Sequence, residues 1–148
     1  MKWYIASRLR HRNNVEKIIS ILKNEGHEFV FDWTQVKISK PYENQVEHSS
    51  LVAQQISQSL QDIEIFVLIS DESGTDMFIE LGIAINLWQN DNSIKIYAVG
   101  KHNTSSLMHF HPAIKRVDSL EEVLKEECIE IYNSHKEEIS KVSEKLNL

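Results

Sequence analysis

One cysteine, Cys128, stands in 148 residues. No intrachain disulfide can form, and a cysteine-built metal centre is excluded. No apolar run approaches the ~18 residues that mark a membrane-spanning helix, and no charged-then-apolar leader precedes a first strand beginning at about Lys2. The expectation is a cytoplasmic chain with no membrane partner. Positive charge is not in excess either. Sixteen Lys plus Arg face 22 Asp plus Glu, giving a net charge of −6, which argues against a nucleic-acid partner. Repeats, low-complexity segments and linkers are lacking, so residues 1–148 are read as one domain, large enough to bury a core without staples.

What is present is an alternation of short apolar strands with segments of helical period. Residues 3–6 read as a buried strand, followed by a basic turn containing Arg8, Arg10 and Arg12. Asn13 and Glu16 resemble a capping box ahead of Val15, Ile18, Ile19 and Leu22, and Gly26 closes that helix. Residues 28–33 read as the second strand, 34–44 as a loop holding Pro41, and 47–61 as the second helix. Residues 65–69 form a continuous apolar run of the kind found in parallel sheets covered on both faces. Thr75 or Asp76 caps a third helix running to about Gln89, with Met77, Phe78, Leu81, Ala84, Ile85 and Trp88 inward. A fourth strand spans 94–99, a long loop 101–112 and a fifth strand 113–117. A helical extension from about residue 119 completes the chain, with a possible break at Asn133 and Ser134.

Strands alternating with helices imply right-handed crossovers and a parallel sheet. The expected fold is an α/β, flavodoxin-like (Rossmann-like) three-layer sandwich with five parallel strands in the order 2-1-3-4-5. In that order the switch point lies between the first and third strands, where α/β proteins place ligands. The loops following Ser7 and Ser70 then face each other across one crevice.

The second of those loops carries chemistry. In the run from Ser70 to Asp76, Gly74 permits close backbone approach, Ser73 and Thr75 supply hydroxyls, and the helix that follows offers free N–H groups. Asp76 and Glu80 are four residues apart and share a helix face. Two such carboxylates can divide roles, one ionised as nucleophile and one shifted to handle protons or hold a hydroxyl. The helix dipole favours an ionised Glu80. The same spacing also describes a plain N-cap followed by a solvated glutamate. Gly82, inside the helix at a cost of roughly 1 kcal/mol relative to alanine, points either to close helix-to-strand packing or to room for a ligand.

The run Gly74-Thr75-Asp76-Met77-Phe78-Ile79-Glu80-Leu81-Gly82-Ile83-Ala84 resembles the nucleoside 2-deoxyribosyltransferase family, which includes 2′-deoxynucleoside 5′-phosphate N-hydrolases. The likeness extends to Ala6-Ser7-Arg8 and to the stretch from Asp62 to Ile69, and spans about the first 120 residues in topology. It implies that Glu80 attacks the anomeric carbon of a nucleoside or nucleotide and displaces the base, with water or a second base resolving the glycosyl-enzyme. It implies a phosphate-binding wall at Ser7, Arg8, Arg10 and Arg12, where an arginine fork suits phosphate. It implies no cofactor, and a neighbouring copy completing the pocket in a homodimer or higher homo-oligomer. The sequence departs from the family on the second helix, where Gln54, Gln55 and Ile56 occupy the window of the family's acid. Glu47, Asp62, Asp71 and Asp76 are the possible substitutes. A leaving group that is already cationic needs no acid, so a TIR-like NAD glycohydrolase is one alternative and a non-catalytic nucleotide-binding or sensing module is another.

Trp33, at the end of the second strand, is a base-stacking platform or a core residue. Asp71, Ser73, Gly74 and Thr75 complete the candidate substrate-binding set. His109 and His111 lack the further ligands a metal site needs, so no metal is expected. Cys128, on a helix among acids, is not read as a nucleophile.

Overall fold

The computed structural model describes residues 1–147. Five parallel strands form one sheet in the order β2-β1-β3-β4-β5: β1 is Lys2–Ala6, β2 Glu28–Phe29, β3 Ile65–Ile69, β4 Lys95–Val99 and β5 Ile114–Val117. The expected strand order and flavodoxin-like class are those observed. Every residue of β3 is buried, as a central strand covered on both faces requires. Each such Val, Leu, Ile or Phe side chain contributes roughly 1.5–3 kcal/mol over leaving it exposed.

The helices are α1 (Arg12–Asn24), α2 (Val46–Ser59), α3 (Asp76–Asn90), α4 (Leu120–Glu127), α5 (Ile129–Ser134) and α6 (Lys136–Leu146). They lie on both faces of the sheet. On α1, Val15, Ile18, Ile19 and Leu22 are buried, and α6 packs against the same helix with Ile139, Val142 and Leu146. The right-handed crossovers put α2 and α3 on the opposite face. No described helix is long and apolar enough to cross a membrane.

Several local expectations are corrected. The second strand ends at Phe29 instead of running to residue 33. Asp32 accepts the backbone N–H of Thr34 at 3.1 Å, and the chain turns there into a short 3-10 turn, Trp33–Gln35. Asn13 does not cap α1: a 3-10 turn, Leu9–His11, feeds straight into a helix whose N-cap is His11. Gly26, at φ 93°, does close α1. Gly82 is neither packed on a strand nor part of a cavity wall; it is exposed, and a Cβ there would meet nothing within 4 Å. The C-terminal extension breaks at Cys128 and His135, giving three helices. Cys128 therefore lies between α4 and α5 instead of within a helix, and burial pushes its thiol up to about 11, with the charge of Glu127 adding to the rise.

Candidate active site

Register decides what lies beneath Glu80. In the β1–β3 ladder Tyr4 pairs with Phe66, so both side chains project to one face of the sheet, and their rings stack 5.7 Å apart. The α3 helix covers that face with Met77, Glu80, Leu81, Ala84 and Ile85. Glu80 points down onto β1, and Tyr4 Oη donates to its Oε2 at 2.7 Å. Only 9% of Glu80 is exposed. Burial raises its pKa to about 7, opposed by the Tyr4 hydrogen bond and reinforced by the charge of Asp76. The helix terminus favours the ionised form, and burial works against it. Desolvation leaves this carboxyl easier to protonate than a surface glutamate. The tyrosine partner was missed because an apolar strand with one Tyr reads as core. The alternation of β1, which puts Tyr4 and Ala6 on one face, was the signal that could have found it.

Glu80 lies at the junction of two cavities. One, of about 260 Å³, lies over the ends of β1 and β3 and takes in Ser7, Arg8, Trp33, Lys40 and the loop Ser73, Gly74, Thr75. The other, of about 350 Å³, lies between α2 and α3 and is walled by Val52, Ala53, Ile56, Ile79 and Ile83. Asp76, Tyr42, Ile38 and Ile56 border both. Asp76 and Glu80 thus do share a face, and Tyr42 Oη lies 3.4 Å from Asp76 Oδ2. The switch-point crevice brings together the two loops that the strand order placed opposite each other. Gly74, at φ 126°, is needed where it stands: a Cβ would come within 2.8 Å of Met77 Cε and 3.4 Å of Arg8 Cγ.

The other candidates divide. Ser7 donates to the Arg8 carbonyl at 3.0 Å at the cavity's edge. Arg8 lines the cavity, whereas Arg10 and Arg12 do not. Arg10 Nη2 donates to Asp71 Oδ2 at 2.6 Å. Arg12 ties down the chain after β2, donating to the carbonyls of Thr34 at 2.8 Å and Val36 at 2.9 Å, with its guanidinium over the Trp33 ring. Trp33 borders the cavity but is 3% exposed, and its indole N–H donates to the Ile5 carbonyl at 2.7 Å. Asp71 is buried behind the loop, not in either cavity wall, with Arg8, Arg10 and His11 around it. Burial pushes its pKa up. The Arg10 hydrogen bond, the Ser73 N–H and the charges of Arg10 and Arg8 more than offset that and hold it below the usual range. On α2, Gln54 and Gln55 are exposed, and Ile56 is the residue of that window that faces Glu80's cavities.

In the loop after β4, His109 is wholly buried, with Nε2 3.1 Å from Ser70 Oγ and Nδ1 accepting from the Ser106 N–H at 3.2 Å. His111 turns elsewhere, its ring edge-on to Trp88. Among the described residues no group of three or more His, Cys, Asp or Glu side chains is placed to hold a metal ion.

No protein-family profile matches the sequence, and no curated protein does. Three solved chains match by structure. One is the Clostridium botulinum CMP N-glycosidase BcmB, with a TM-score of 0.54 and 12% identity, covering 80% of this chain and 88% of that one. At that identity the likeness is one of fold.

Proposed function

We propose that the protein cleaves the N-glycosidic bond of a nucleotide, with Glu80 as the nucleophile. One observation carries the reading: a buried carboxyl, held by Tyr4, stands where a polar cavity meets an apolar one. A nucleotide has the same division, a charged sugar phosphate at one end and a flat base at the other. Ser7, Arg8, Lys40, Thr75 and the first N–H groups of α3 suit the phosphate and sugar hydroxyls. The anomeric carbon then lies over Glu80, whose carboxylate stabilises an oxocarbenium-like transition state by bonding to it. Asp76, on the same face, is placed to hold a sugar hydroxyl or to take the proton of the attacking water. The fold shared with a CMP N-glycosidase supports the reading, as does the match of Glu80 to the family motif. Water as acceptor makes the protein a hydrolase, and a second base would make it a transferase.

The test is base release from a panel of nucleosides and 5′-monophosphates, read by chromatography. Wild type is expected to free a base and Glu80→Gln to free none. Equal release by the two would remove Glu80 from the reaction. A second reading, a nucleotide-binding module without turnover, draws on Ile56 standing where the family carries an acid. Calorimetric binding of a nucleotide with no base release over hours would favour it. The expected setting is cytoplasmic and the expected assembly a homodimer, using the exposed Leu107, Met108 and Phe110 of the loop after β4. Light scattering at micromolar concentration checks the assembly.

A further inference from the structure

The cavity between α2 and α3 has a composition that narrows the leaving group. Its walls are mostly apolar, and among the described residues its carboxyl groups are those of Asp76 and Glu80. The residue of α2 that borders both cavities beside Glu80 is Ile56. Among the cavity's other polar groups, the half-buried Tyr42 hydroxyl already donates toward Asp76 and burial raises its pKa, so it holds its proton, and the hydroxyls of Ser39, Ser49 and Ser57 are weak acids. Lys37 and His48 are exposed, and His48 Nε2 is 2.6 Å from the Lys37 carbonyl. Along α2, His48 is two turns from Ile56, about 12 Å.

A neutral nucleobase departs as an anion unless an acid protonates it. Here that anion would enter a mostly apolar chamber beside the Asp76 carboxyl, Glu80 being bonded to C1′ by then, and both desolvation and like-charge repulsion would oppose it. A leaving group with a fixed positive charge reverses both costs. Before the bond breaks, its cation lies beside Asp76 and Glu80. Afterwards it is a neutral ring among Val52, Ala53, Ile56 and Ile83.

Resting on the nucleotide-cleavage reading above, we propose that the substrate is an N-ribosylpyridinium nucleotide, its pyridinium ring seated in the α2–α3 cavity. In the first step a Glu80 carboxylate oxygen bonds to C1′ while the C1′–N bond breaks. The electron pair goes to the ring nitrogen, and the ring leaves neutral. In the second, a water oxygen bonds to C1′, the Glu80 oxygen leaves as carboxylate, and the water's proton passes to solvent. Each turnover therefore releases one proton. Hydrolysis of a neutral nucleotide releases none, because its base carries the proton away. A cation beside Glu80 also favours the ionised, attacking form of that buried carboxyl.

The experiment compares nicotinamide mononucleotide with CMP at equal concentration and pH 8 in weak buffer, following free base by chromatography and acid by an indicator dye. Nicotinamide is expected to appear at least 100-fold faster than cytosine, with one proton per bond. Cytosine release as fast as nicotinamide release overturns the leaving-group assignment and leaves nucleotide cleavage standing. Release of neither overturns both. Ile56→Glu supplies the missing acid, and is expected to raise cytosine release at least tenfold. A folded Ile56→Glu protein with no such gain also overturns the assignment. The wild-type comparison decides the matter if that variant does not fold.

Discussion

Asp71 and Glu80 stand nine residues apart, at the two ends of the same loop-and-helix segment, and both are buried acids. Their surroundings drive them in opposite directions. Asp71 is covered by basic side chains: Arg10 at 2.6 Å, and Arg8 and His11 at 3.6 Å. Glu80 is covered by apolar side chains and one phenol. The first stays charged and is held below the usual carboxylate range, and the second is pushed up to about 7. Burial alone does not decide the fate of an acid; the charge of what buries it does. The segment therefore has one acid fixed in its charged form at the loop and another pushed toward its protonated form on the helix.

The largest test of this contrast is at Glu80. Glu80→Gln is expected to abolish base release by at least about 10³-fold, of the order seen when a nucleophile is removed. The same change should stabilise the fold at pH 8. Glu80 titrates near 4.5 when unfolded and near 7 when folded, so the native state keeps a proton across that window which the unfolded chain has lost. Wild-type stability falls as pH rises through the window, by ~3 kcal/mol at full extent. Urea unfolding of wild type and Glu80→Gln at pH 5 and pH 8 measures the difference, and an equal gain at both would contradict the raised pKa.

Asp71→Asn should do the reverse. It leaves Arg10, Arg8 and His11 without their carboxylate and costs ~2 kcal/mol, less than a fully buried pair because Arg10 and Arg8 are about half and a third exposed. Asp71's contribution is present above its unfolded pKa and is lost as pH falls through the lowered folded value, the opposite slope to that of Glu80. An Asp71→Asn protein as stable as wild type at pH 7 would break the contrast.

Smaller effects sharpen it. The kcat/KM of wild type should climb with pH up to about 7 and then level, following ionisation of Glu80. Tyr4→Phe removes the hydrogen bond that lowers Glu80's pKa, so the rise should move to higher pH, with roughly tenfold less activity at pH 7. An unmoved profile would show that Tyr4 packs without tuning the acid.

Much of this was legible in the sequence where a pattern had a single cause. The apolar run of β3 and the strand–helix alternation gave the sheet order, and with it the crevice between Ser7 and Ser70. Less was legible where local and distant contacts compete. Residues 28–33 carry strand-forming side chains, yet Asp32 bonds the Thr34 N–H and Trp33 gives its indole proton to Ile5, so the strand stops early. Three arginines in one basic turn read alike, but only Arg8 faces the cavity, because Asp71 claims Arg10 and the chain after β2 claims Arg12. The burial that opposes ionisation of Glu80 was not legible, because helix position is visible in a sequence and the depth of a side chain is not.

The packing of α6 against α1 sets an order of events during synthesis. A chain emerging from the ribosome presents α1 early, with Val15, Ile18, Ile19 and Leu22 forming an apolar stripe. The residues of α6 that cover that side, Ile139, Val142 and Leu146, are made after every strand of the sheet. Until α6 is made, the side of α1 that it covers has no partner from that helix, and apolar surface left open in a partly made chain favours aggregation.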